Sequence, residues 1–196
     1  MLAGPGAIAT LTFAPLVIAL FYSSRFGAAV GVLRWICLGT ILQVISWPLG
    51  FIIVAKGKRA MFFCTELAWT LVSLGLAWTC VRSFGLNGAG IAFFGSYVFY
   101  GFLLYLVVNR LSSFRWSTAN KQTGLFFLSL IAAVFYGFYV LPLLWAGCLG
   151  ALAALLSGAY SIRVLFKLIS WDQIPGFLRR LLAGFGYAPA DFTGVA

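Results

Sequence analysis

Only three carboxylates occur in this 196-residue sequence, Glu66, Asp172 and Asp191, and Glu66 alone is embedded in a long apolar run. A charge in such a run is expensive and defaults to a functional role. At about 100° per residue, Thr70, Ser73 and Ala77 fall on the Glu66 face of a helix, with Trp69 beside it. That stripe is polar and small, suited to lining a watery cavity and holding a cation or a proton. A competing assignment stays open. Glu66 sits roughly two turns inside its apolar segment, within reach of the basic side chains of Lys58 and Arg59.

Two further stripes carry polar groups. Gly39, Thr40, Gln43, Ser46, Trp47 and Gly50 are expected on one face of the preceding helix, and Ser96 and Tyr100, flanked by Tyr97, on the following one. Small and hydroxyl-bearing residues serve helix packing as readily as a substrate path. Pro48, in mid-segment, predicts a kink. Arg34 is expected near the outer end of its segment, where it can snorkel. Chemistry beyond this is sparse. Histidine is absent, no second acid accompanies Glu66 in the apolar sequence, and the four cysteines lack metal-ligand or redox spacing. Catalytic residues, metal ligands and cofactor sites are therefore expected to be none. "GLNGAG" (85–90) has the glycines of a phosphate loop but no preceding strand, and the cysteines are expected to be small buried hydrophobes.

The elements that position these residues follow from composition. Hydrophobic residues make up 63% of the chain and charged ones 8%, against about 25% charged in a soluble domain, so lipid must be its solvent. The net charge of +10 suggests a nucleic-acid binder until its distribution is read. The basic residues cluster where apolar runs end, as in membrane-flanking loops, and no polar domain exists to carry a nucleic-acid surface.

Runs long enough to cross a bilayer predict an all-α integral membrane protein of about six spans: 7–22, 29–55, 60–82, 88–108, 123–141 and 144–168. Lys56, Lys58 and Arg59 follow the second span, Arg110, Arg115 and Lys121 the fourth, and Arg163, Lys167, Arg179 and Arg180 the sixth or its end. The intervening loops hold Arg25, then Arg82, then no basic residue. This alternation predicts that both termini are cytoplasmic. Residues 169–196 form a tail in which Ile174, Phe177, Leu178, Leu181, Leu182 and Phe185 share one helical face. An interfacial amphipathic helix is expected over about 174–185.

Four stretches then carry a resemblance: "FAPLVIALFYSSRFGAAV" (13–30), "RWICLGTILQVISWPLGFIIVAKGKRAMFFCTELAW" (34–69), "FGLNGAGIAFFGSYVFY" (84–100) and "FRWSTAN" (114–120). Together they resemble the O-antigen and related polysaccharide translocases of the multidrug/oligosaccharidyl-lipid/polysaccharide exporter superfamily. The resemblance implies two lobes of helices around a central cavity in the bacterial inner membrane. Its implied cargo is undecaprenyl-pyrophosphate-linked oligosaccharide, moved from the cytoplasmic to the periplasmic leaflet. It also implies that the matching residues are the last helices of the core, that 123–168 adds two spans, and that an N-terminal lobe belongs before Ala7. Glu66 matches an acid common in the corresponding helix. This sequence has Thr40 where relatives often place an acid after a Leu-Gly pair.

The expected function is therefore flipping of lipid-linked oligosaccharide, by a partial protein. The path is assigned to Glu66, Gln43, Thr40, Ser46, Trp47, Thr70, Ser73, Ser96 and Tyr100, and headgroup contacts to Lys56, Lys58 and Arg59. The expected partners are membrane lipid, the lipid-linked oligosaccharide, the missing lobe and other polysaccharide-assembly proteins. A noncatalytic membrane subunit or inert fragment is the alternative. A membrane glycosyltransferase or polymerase of the same pathway is a weaker one, because the outer loops hold little beyond Arg25 and Arg82.

Overall fold

Long apolar runs in lipid must satisfy their backbone groups internally, and the α-helix does this within one segment. The computed structural model describes residues 3–22, 24–112 and 116–168, and among these it contains seven α-helices and no strand. They are α1 (Ala3–Thr12), α2 (Ala14–Phe21), α3 (Ala29–Ala55), α4 (Arg59–Phe84), α5 (Asn87–Ser112), α6 (Thr118–Val140) and α7 (Leu143–Leu168). Five of them, α3 to α7, are long and apolar enough to cross a membrane, and the α1–α2 pair raises the number to six if counted as one broken span. The chain is an all-α, multi-pass membrane protein.

The first span departs from the continuous 7–22 helix expected. It begins at Ala3 and breaks at Phe13, where α1 and α2 meet at 79°. Pro15 has no N–H to donate to the Leu11 carbonyl and stands instead in the first turn of α2, where that donor is not needed. Pro48 acts differently: α3 runs through it without interruption. Between α6 and α7, Leu141 is extended (φ −99°, ψ 152°) because it precedes Pro142. The polar turn 118–122 joins α6, and α5 continues four residues past Val108 to Ser112. The chain divides into two units, Met1–Gly158 and Ala159–Ala196. The expected helix at about 174–185, with Arg115, Arg179 and Arg180, lies outside the described residues.

Within the first unit α3 is the hub, packing against α1, α2, α4, α5 and α6, most extensively against α5. Two glycines of the "GLNGAG" stretch explain the closest approaches. A Cβ on Gly90 would lie 2.7 Å from the Trp35 Cβ and 2.8 Å from the Val32 carbonyl of α3, and one on Gly88 would collide with the Cys80 backbone of α4. These glycines admit neighbouring helices rather than a phosphate.

Two cores result. One gathers Ile8 and Leu11 of α1, Leu38 and Ile41 of α3, and Phe127 and Ile131 of α6. The other gathers Leu49 and Ile53 of α3 with Tyr97, Tyr100, Leu104 and Val108 of α5. Helix α4 buries only Thr65 and turns Phe63, Leu67, Leu71, Leu74 and Trp78 outward. In water that face would be untenable; in lipid it is an ordinary surface. The cysteines follow the same logic. Cys37 is buried, but Cys64 and Cys148 are exposed, correcting the expectation that all are core residues.

Candidate functional site

Short turns force successive long helices to run antiparallel. The end of α3, the start of α4, the end of α5 and the start of α6 therefore share one end of the bundle. Lys56, Lys58, Arg59, Arg110 and Lys121 all stand there, exposed. Gly57, at φ 70°, makes the tight turn between Lys56 and Lys58.

Glu66 lies seven residues into α4 after Arg59, about 10 Å along its axis. It is half-buried and accepts a hydrogen bond from the Tyr100 hydroxyl of α5. No ion pair joins it to Lys58 or Arg59, so the competing salt-bridge expectation is not met among the described residues. The two basic side chains point outward from the helix start, while the carboxylate faces α5. The phenol is a donor already inside the bundle and requires no cation to be drawn in.

Aromatic rings surround this pair. The Trp69 ring lies 5.4 Å from Tyr100 and 5.6 Å from Tyr97, and Phe93 lies 4.9 Å from Tyr97. Helix α3 approaches with Gly50, whose absent side chain leaves room: a Cβ there would be 3.8 Å from the Tyr100 hydroxyl. The Trp69 Nε1 is buried and has no acceptor among the described residues, an exception to the rule that buried donors are paired. The site thus offers a carboxylate already engaged on one oxygen, a phenol and an unused indole N–H between aromatic faces. It can bind a polyol or a cation. Among the described residues no second carboxylate stands beside Glu66.

The other expected path residues divide. The hydroxyls of Thr40, Ser46, Thr70 and Ser96 each donate within their own helix, at 2.8 Å, to the carbonyls of Ile36, Leu42, Glu66 and Phe93. Ser46 and Ser96 are buried and Thr70 is exposed. Ser46 also meets α5, where a Cβ on Gly101 would be 3.1 Å from its hydroxyl. Gln43 and Ser73 are half-buried.

Trp47, expected on the stripe with Gly39 and Gly50, is 56% exposed and points out of the bundle. The physical reason is angular. Gly39, Ser46 and Gly50 lie within about 40° of one another on α3, whereas Trp47 lies about 60° beyond Gly50 and about 100° from Ser46. The true packing stripe is narrower than the one drawn from the sequence.

One group has a different environment from that expected. The Arg34 guanidinium does not reach out to solvent. It lies 3.8 Å over the Phe138 ring of α6, with Nε and Nη2 buried and without acceptors among the described residues. Its position in an apolar span was the available signal; its aromatic partner, a hundred residues away, was not. No family model, curated protein or solved structure matches the chain.

Proposed function

We propose that this protein takes part in translocating an undecaprenyl-pyrophosphate-linked oligosaccharide across the bacterial inner membrane. The observation that carries this reading is a carboxylate, a phenol and an unused indole donor gathered within an apolar bundle, about 10 Å from a strongly basic end. The basic end, with both chain termini on the cytoplasmic side, attracts the pyrophosphate. Glu66, Tyr100 and Trp69 offer hydrogen bonds and ring faces to the sugars, while the isoprenoid tail stays in lipid. A further membrane-embedded partner supplies the second wall of the path, and rocking of the two alternates access. No covalent step is involved.

A second reading, a noncatalytic membrane subunit, is favoured by the hydroxyls that donate within their own helices and so leave less polar lining for cargo. Complementation separates the two. In a strain lacking its flippase, this chain, co-expressed with its membrane partners, is expected to restore surface polysaccharide. Glu66→Gln, which keeps an acceptor and loses the charge, should lower that restoration about tenfold, the order of the difference between a charged and a neutral hydrogen bond. Full activity of the Glu66→Gln protein at equal membrane abundance would favour the subunit.

A further inference from the structure

A cavity of about 550 Å³ opens between α1, α3 and α6, on the opposite side of α3 from the Glu66 cluster. Its volume falls in the range of ligand sites, about 300–1,000 Å³. Its lining changes character along its length. The depth is apolar, walled by Ile41 and Val44 of α3 and by Phe127 and Leu128 of α6, with Gly4 of α1 at the side. The mouth is formed by Trp116, just ahead of α6, and by the exposed Asn120 and Lys121 in the first turns of α6. From Asn120 to Leu128 the wall is eight residues of helix, about 12 Å.

Among the described residues no acid compensates the charge at the mouth. Lys121 is exposed, and the one acid among the described residues, Glu66, is engaged by Tyr100 on another helix pair. The first turn of α6 contains no acid, and its N-cap Ser117 makes no side-chain capping bond. The helix dipole therefore adds to the Lys121 charge. A tryptophan and a lysine at the rim of an apolar slot match the membrane interface, where indole and ammonium sit at headgroup level.

We propose that this cavity seats one anionic phospholipid, with an acyl chain in the apolar depth and its phosphate against Lys121 and Asn120. A free phosphate would leave the depth empty, and a zwitterionic lipid brings its own ammonium beside its phosphate, which weakens its net attraction to the lysine. The seat lies away from the Glu66 cluster and uses none of its residues; it shares with the proposed translocation only the basic end of the bundle, where Lys121 stands.

The test uses the purified full chain in nanodiscs containing phosphatidylglycerol that carries a diazirine near its acyl terminus. After illumination, peptide mapping is expected to find the label concentrated in 41–48 and 123–128. Lys121→Gln should lower that labelling about fivefold, as expected for one basic residue at an anionic surface. A matching phosphatidylethanolamine probe should label the same peptides to a similarly reduced extent. Gly124→Leu, which fills the slot, should abolish labelling there. Should that variant not fold, Lys121→Gln, at an exposed position, carries the test alone.

Three results would overturn the proposal. One is equal labelling of the outward face of α4 around Leu67–Leu74. Another is labelling at the cavity that does not change with Lys121→Gln. The third is displacement of the phosphatidylglycerol probe by equimolar polyprenyl phosphate, which would make the occupant the cargo lipid.

Discussion

Glu66 and Arg34 are both ionisable residues inside apolar helices, and their surroundings differ. Glu66, between α4 and α5, receives a hydroxyl donor from Tyr100 and is framed by three more aromatic rings. Arg34, between α3 and α6, lies over the face of Phe138, with the Tyr139 phenol near enough to interact electrostatically, and keeps two buried nitrogens without acceptors among the described residues. The first arrangement satisfies a charge by directed hydrogen bonding; the second softens one with a ring quadrupole, an interaction of about 0.5–2 kcal/mol. The lesson is that the two sites respond oppositely to truncation. Removing the donor from a paired, half-buried acid leaves its carboxylate without that partner, whereas replacing an under-satisfied cation with an apolar chain of similar length removes a liability.

The largest expected effect breaks both sites together. Gly90→Leu forces a side chain into the Trp35 Cβ and the Val32 backbone of α3, and because α3 carries Arg34 while α5 carries Tyr100, the crossing holds both regions. A loss of about 3 kcal/mol or more is expected, read as a fall in the thermal unfolding midpoint in detergent.

A double-mutant cycle on Tyr100→Phe and Glu66→Leu, which leaves the hydroxyl no side-chain acceptor at position 66, sharpens the acid side of the comparison. The coupling should be about 1.5–3 kcal/mol, the range for hydrogen bonds to charged groups. A coupling near zero would mean that the hydroxyl and carboxylate are held near each other by the rings alone.

Arg34→Met should change stability least, within about 1 kcal/mol and toward greater stability. Denaturant titration of the purified protein reads it. A loss as large as that from Tyr100→Phe would erase the distinction between the sites and reveal an anionic partner for Arg34.

How much was legible beforehand depends on what each feature rests upon. The Glu66 stripe was visible because helical periodicity places Trp69, Thr70 and Ser73 near the acid on one chain segment. The Tyr100 contact was not, since it joins residues on different helices and depends on how α4 and α5 are rotated. Trp47 failed for a related reason. A face drawn about 100° wide includes residues at its margin, and whether a margin faces protein or lipid depends on the neighbour. In water, apolarity would separate inside from outside; in lipid Phe63, Leu74 and Cys64 can face outward at no penalty. The cavity between α1, α3 and α6 was likewise invisible, because Ile41 and Leu128 are unremarkable apolar residues until the helices diverge around them.

The sequence by itself determined that this chain is a helical membrane protein, that α3 runs from Ala29 to Ala55, and that its basic residues gather beyond the ends of spans. Those properties follow from local chemistry: the length of an apolar run, the absence of backbone partners in lipid, and the expense of burying a cation. Only the tertiary structure decided that the first span breaks into α1 and α2 at 79°, that Glu66 takes a phenol rather than a lysine, and that Arg34 rests on Phe138. Each of those outcomes turns on the rotation and separation of helices, which packing between distant residues sets and no single segment encodes.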